Sequence, residues 1–239
     1  MSKGNLYLIP TPLGECNPSE VLPQPVLDRI LLIRRYVVEE SRTARRFLSA
    51  AGLKGHIQEL ELRELNEHSG EAEVEALLEL FSDAGGNPTD VGLVSEAGLP
   101  AVADPGAQLV ALCHREGIRV IPMVGPSSLM MALMGSGLNG QSFAFCGYLP
   151  AKTDERRRVI RDVESRSAKL NQTEIFIETP YRNDSMMADL LSTLRPSTRL
   201  CIAADITNED ETILTMTVKE WKRKVYTIGK RPCVFLILA

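Results

Sequence analysis

The chain has 239 residues, 44% hydrophobic and 24% charged, which excludes disordered and fibrous classes and allows one large or two modest domains. No apolar run approaches the roughly 20 residues that span a bilayer, and the opening Met1-Ser-Lys-Gly-Asn5 lacks a secretory layout, so a cytoplasmic protein with no membrane partner is expected. Net charge is −4 but unevenly divided: residues 1–124 carry 11 Lys+Arg against 18 Asp+Glu, and residues 125–239 carry 16 against 13.

The first half alternates strands and helices. Residues 5–10 read as an apolar strand and 25–33 as a helix with proline near its start, where a missing N–H is tolerated. Tyr36-Val-Val38 is a second strand. Ser41 is expected to cap a helix over 41–51 that stops at Gly52. Apolar residues at 74, 77, 78 and 81 mark one face of a helix over 71–81. Gly85-Gly-Asn-Pro88 is a turn, followed by the strand Val91-Gly-Leu-Val94, a helix over 105–116 and a strand over 118–123. This alternation predicts a parallel, doubly wound sheet covered on both faces.

Past Val124 the pattern changes, and Pro122 with Gly125-Pro126 punctuates the chain. The reading is an N-terminal domain over 1–124 and a C-terminal domain over 125–239. In the second, 126–134, 154–168 and 183–194 are helical, while 143–148, 174–178 and 200–204 are strands. Residues 212–218 alternate and 233–238 are apolar, which predicts antiparallel pairs in a mixed sheet. The fold class is therefore α/β with two domains.

Several loops that end strands carry site-like chemistry. Ser95-Glu-Ala-Gly-Leu-Pro-Ala-Val-Ala-Asp-Pro-Gly106 is too small and too bent to pack as core, and suits close approach of bare backbone to a ligand. Thr11-Pro-Leu-Gly14 follows the first strand, and Gly125-Pro-Ser-Ser128 opens a helix whose free N–H groups suit a carboxylate. Glu39-Glu-Ser-Arg42 and Phe176-Ile-Glu-Thr-Pro-Tyr-Arg182 end two more strands. Singly, each is explained as capping or turn chemistry; together they favour one shared crevice. No GxGxxG or phosphate loop occurs. Five scattered cysteines and three scattered histidines predict reduced thiols and no metal site. The basic excess lies in residues 152–169 and 219–231, faces that are either solvated or met by an anionic partner.

With these motifs in order, from Thr11-Pro-Leu-Gly14 through Asn66-Glu-His68, Gly147-Tyr-Leu-Pro150 and Glu155-Arg-Arg-Arg158 to Glu178-Thr-Pro-Tyr-Arg182, the chain resembles the tetrapyrrole methylase superfamily of S-adenosylmethionine-dependent methyltransferases. It is most similar to the branch that 2′-O-methylates a cytidine ribose in 16S ribosomal RNA, whose loop likewise ends in Asp104-Pro-Gly106. That resemblance implies a homodimer with the cofactor between its domains, and ribosomal RNA or the small ribosomal subunit as partner. Carried over by position, Pro12, Glu96, Ala97, Gly98, Ala101 and Val102 would surround the cofactor. Ser127 and Ser128 would hold its amino-acid end, and Ile177 and Thr179 would contribute from the second domain.

The chain departs from the branch in reading Glu39-Glu-Ser-Arg42 for Glu-Asp-Thr-Arg, and Asp205-Ile-Thr207 where Arg-Glu-Leu-Thr is usual. It also ends at its last strand, where many relatives continue. A ribose hydroxyl needs a base, for which Glu39, Glu40 and Glu178 are candidates, and Arg42 would steer a phosphate. The catalytic set is thus expected to be Glu40, Arg42 and Glu178. Two other readings are a methyltransferase for a tetrapyrrole or other small molecule, and a cofactor-binding module that has lost catalysis.

Overall fold

A computed structural model describes residues 3–239, which divide into two compact units, one running to Ser127 and the other spanning Ser128–Ala239. The first unit runs β1 (Leu6–Ile9), α1 (Pro18–Val21), α2 (Gln24–Leu32), β2 (Arg35–Val38), α3 (Ser41–Leu48), β3 (Glu61–Glu64), α4 (Glu71–Ala76), β4 (Val91–Val94), α5 (Ala107–Arg115) and β5 (Val120–Pro122). Its sheet has the order β3-β2-β4-β1-β5, and every pairing is parallel. The central strands are apolar at almost every position because helices cover both faces.

Period-two alternation sorts their side chains into two cores. Tyr7, Ile9, Tyr36, Val38 and Val94 face α2 and α3 in one cluster; Leu6, Val37, Val91 and Leu93 join α4 and α5 in the other. Gly92 has a packing reason, since a Cβ there would sit 2.6 Å from the Tyr36 ring. That ring is fixed by its hydroxyl, which donates to the Ile30 carbonyl at 2.9 Å.

Three expectations change in this unit. Glu40, not Ser41, is the N-cap of α3. The helix over 71–81 tightens into a 3₁₀ turn at Leu77–Phe81, and β3 and α1 went unread. β3 is an edge strand with three charged residues in four, the composition that shields an open edge.

The second unit runs α6 (Ser128–Ser136), β6 (Phe143–Tyr148), α7 (Thr153–Leu170), β7 (Thr173–Ile177), α8 (Asn183–Thr193), β8 (Arg199–Ala204), β9 (Thr212–Thr217), α9 (Val218–Trp221) and β10 (Cys233–Leu238). Its sheet order is β6-β7-β10-β8-β9, with β6 and β7 parallel and the other pairs antiparallel. Phe176 and Phe235 stack at 5.7 Å inside a core that also buries Trp221, whose indole N–H donates to the Leu200 carbonyl. The alternation over 212–218 ends where Thr217 caps α9 with a reciprocal Glu220 bond, so the last of those residues is helical.

Candidate active site

The ends of four neighbouring strands are tied together in the first unit. The register sets Ile9, Val94 and Val38 level across β1, β4 and β2, so the loops that follow leave the sheet side by side. Thr11 and Gly98 then form an antiparallel bridge joining the loops after β1 and β4. Gly98 has φ +78, and a Cβ there would lie 3.0 Å from Leu13 and 3.5 Å from the Pro126 carbonyl. A Cβ on Gly125 would fall 2.2 Å from the Pro10 ring. The loop after β5 is therefore pressed backbone-first against the other two. From β2, the Glu39 carboxylate accepts the Glu96 backbone N–H. Pro12, Glu96 and Gly98 are brought together, with Pro126 just ahead of Ser127 beside them.

The loop after β4 holds its shape at a conformational cost. Ala101 and Ala103 adopt φ of 65° and 60°, the left-handed region that costs a non-glycine residue about 1–2 kcal/mol. Asp104 offsets this by accepting the N–H groups of Ala101 and Gly106 beside the Ser95 hydroxyl. Strain of this kind, held by a local carboxylate, gathers at ligand sites. Ala97 and Val102 point outward from the loop and are exposed.

Three carboxylates share this sheet end, and all are pushed up from their ordinary values. Burial is the main cause for Glu39, Glu96 and Asp104; Asp104 and Glu96 also repel Glu39, and Glu40 and Asp104 repel Glu96. Such a set favours a positively charged ligand, which would restore the charged forms. Next to it lies a cavity of about 720 Å³, lined by the loop from Thr11 to Pro18, by Ser95 and Glu96, and by one side of α3.

Two of the expected catalytic groups stand at the start of α3. The Glu40 carboxylate accepts the N–H of Arg42 at 2.8 Å, the N–H of Thr43 at 2.7 Å and the Thr43 hydroxyl at 2.6 Å. These bonds hold it below the usual carboxylate range, so Glu40 is a helix cap and a weak proton acceptor. Arg42, two residues further on, is exposed.

Within the second unit, Ser128 opens α6 and Ile177 ends β7, while Thr179 follows in the loop. Glu178 is buried, and its Oε1 takes bonds from the Thr179 N–H and from Arg182 Nε and Nη2. Its Oε2 is buried with no hydrogen-bond partner among the described residues, which leaves an acceptor for a donor from outside the chain. Thr207, in the segment that stands where the branch usually reads Arg-Glu-Leu-Thr, is a further candidate. Its hydroxyl is buried and unpartnered in the same sense, and both it and Asp205 have positive φ, at 75° and 51°. Ile177 and Ala204 flank the start of β10, opposite Val234 and Cys233, so the loops of Glu178 and Thr207 leave the same end of this sheet.

The basic run Glu155-Arg-Arg-Arg158 has a different use from charge display. Arg156 is 2% exposed and its guanidinium grips Asp189 with Nε and Nη2, while Arg157 reaches the other oxygen of Asp189 at 2.7 Å. Two of its three arginines therefore anchor α7 to α8. Among the described residues, no helix is long and apolar enough to cross a membrane.

Strand-end loops fastened to one another, strained and lined with carboxylates, mark a ligand-binding site at the end of a parallel sheet in an α/β fold. The family model for tetrapyrrole (corrin/porphyrin) methylases matches residues 28–222. "Ribosomal RNA small subunit methyltransferase I" of Vibrio cholerae is 30% identical over 215 residues, covering 90% of this chain and 69% of that protein. The protein of the same name from Neisseria meningitidis serogroup A is 33% identical over 217 residues, covering 91% and 69%. Among solved structures, uroporphyrin-III C-methyltransferase from Thermus thermophilus complexed with S-adenosyl homocysteine shares the fold at TM-score 0.55 and 20% identity, over 98% of this chain and 97% of that one.

The chain belongs to the tetrapyrrole methylase family. It is an S-adenosylmethionine-dependent methyltransferase. The residues fit that cofactor: Gly98 and Gly125 let the strand-end loops close on one another beside the cavity, and the raised carboxylates there suit a sulfonium and an ammonium group.

Proposed function

We propose that the chain 2′-O-methylates a ribose of small-subunit ribosomal RNA, acting as a cytoplasmic homodimer. The observation that carries this reading is the similarity to ribosomal RNA small subunit methyltransferases over about nine-tenths of the chain. In this reading Pro12, Glu96, Ala97, Gly98, Ala101 and Val102 serve the cofactor, Ser127 and Ser128 serve its amino-acid end, and Ile177 and Thr179 are the second unit's contribution.

S-adenosylmethionine supplies a methyl group already activated on a sulfonium. The chain's own residues orient the acceptor and manage one proton. With the ribose oxygen aligned on the donor methyl, the chain's residues would take one proton from the hydroxyl. Alignment of this kind is worth roughly 7–11 kcal/mol in well-ordered systems. Of Glu40 and Glu178, only Glu178 has an oxygen without a hydrogen-bond partner among the described residues, whereas both oxygens of Glu40 are committed to capping. Glu178 is thus the better acceptor, Arg42 holds a phosphate, and Glu40 fixes the start of α3 beneath it.

The test is a map of ribose methylation in ribosomal RNA from cells with and without the gene. Loss of one 2′-O-methyl mark in the small-subunit RNA is expected. An unchanged map, with methyl transfer to an added porphyrinoid, would replace this reading with the small-molecule one.

A further inference from the structure

The cavity of the first unit is walled on one side by α3 and its continuation, through Thr43, Arg46, Phe47 and Ala50. That spacing, i, i+3, i+4 and i+7, is a single helix face. Arg42, Arg45 and Arg46 share the neighbouring face by the same geometry, and all three are exposed. Arg46 stands where the two faces meet. In this unit Arg29 and Arg35 are paired with Asp90 and Glu61; among the described residues, Arg42, Arg45 and Arg46 have no ion pair. They form a basic strip in the acidic half of the sequence.

We propose that this cavity receives one unstacked nucleotide of a single-stranded RNA segment, with its base against Phe47 and its flanking phosphates on Arg42, Arg45 and Arg46. The inference rests on the ribosomal RNA reading and adds the place where the acceptor enters. Single-stranded RNA is bound by combining an aromatic platform with a basic track along the backbone. At about 720 Å³ the cavity has the size of a small-ligand site. Its rim also carries Glu15 and Glu96. Carboxylates there accept from the exocyclic amine of a base, a donor that the side chains of an acidic peptide lack, which favours RNA over the other polyanion that arginines attract. Pro12, Ser95 and Glu96 belong to this lining as well, so a nucleotide seated here abuts the loops assigned to the methyl donor.

The test uses the whole protein with small ribosomal subunits that lack the mark as acceptor, and compares Arg45→Ala/Arg46→Ala, Phe47→Leu and Phe47→Trp with wild type. The double variant is expected to raise KM about tenfold or more and to lower the salt slope of binding by about 1.4, roughly 0.7 per lost phosphate contact on a single strand. Phe47→Leu raises KM with the slope unchanged, and Phe47→Trp restores it, which separates stacking from mere packing. Cofactor affinity, measured by calorimetry, stays at the wild-type value in all three, showing that the fold is intact. Wild-type KM and slope in the double variant would overturn the inference while leaving the ribosomal RNA reading standing. Absence of ribose methylation by the wild-type protein would overturn both.

Discussion

Thr11 and Gly98 exchange a pair of backbone hydrogen bonds, 2.9 Å from the Thr11 N–H and 3.2 Å from the Gly98 N–H, and so fasten the loop after β1 to the loop after β4. This bridge needs Gly98 at φ +78, where an L side chain is strained. Gly98→Ala is expected to lose about 1–2 kcal/mol of stability in denaturant titrations, and to weaken cofactor binding because the bridge shifts. Gly55, at φ +90 with no atom within 4 Å of a built Cβ, is the control. Gly55→Ala should carry the strain without the loss of cofactor affinity; equal losses of affinity in both variants would remove the bridge from the site.

The Glu40 cap and the free oxygen of Glu178 make opposite predictions for similar substitutions. Glu40→Ala removes three hydrogen bonds from the start of α3 and should lower Tm while leaving kcat within a few-fold. Glu178→Gln keeps the shape but removes the charge at a buried, unpartnered acceptor, and should lower kcat by about 100-fold or more, as loss of a general base does. A large kcat loss in Glu40→Gln with Tm unchanged would return the base to Glu40.

The raised carboxylates set a pH dependence with a definite sign. Glu39, Glu96 and Asp104 hold protons more tightly folded than unfolded. Stability therefore falls as pH rises from the ordinary carboxylate range through their higher folded values, because the native state must give up protons that the unfolded chain has already lost. Glu39→Gln, which keeps an acceptor for the Glu96 N–H, should raise Tm at pH 8 and do so less at pH 4. Paired thermal melts of variant and wild type at these two pH values read the difference. An equal gain at both would assign the effect to packing.

Arg156 and Asp189 test whether the basic run serves RNA or the fold. Removing one partner of a buried pair costs about 3–5 kcal/mol, so Asp189→Ala should strongly destabilise the second unit. Arg158→Ala, exposed on the same helix, should leave Tm within a degree or so. Chemical denaturation followed by Trp221 fluorescence reports the unit directly, since this is the single tryptophan of the chain. A wild-type midpoint for Asp189→Ala would contradict the anchoring role.

The strand-end loops were legible in sequence because their chemistry is local. Glycine and proline at 98, 100, 105, 106, 125 and 126 exclude regular structure, whatever surrounds them. The apolar runs of β1, β4 and β10 were legible for the complementary reason, since only a covered sheet buries such stretches. The edge strand β3 was not, because a strand exposed at the rim is polar and takes its conformation from its neighbour β2. The cap of α3 also escaped: Ser41 and Glu40 are both plausible acceptors, and only the extended backbone at Glu40, φ −136 and ψ 124, turns its carboxylate back onto the helix.

By itself, then, the sequence determined where backbone would be bare, which stretches would be buried, and the family to which their order belongs. Tertiary structure alone decided which charges remain available. Arg156 and Arg46 look alike in a list of residues, yet α8 places Asp189 against the first and no described residue forms an ion pair with the second. Burial and partners are set by elements far apart in the chain, and they decide whether a charge holds the fold together or waits for a ligand.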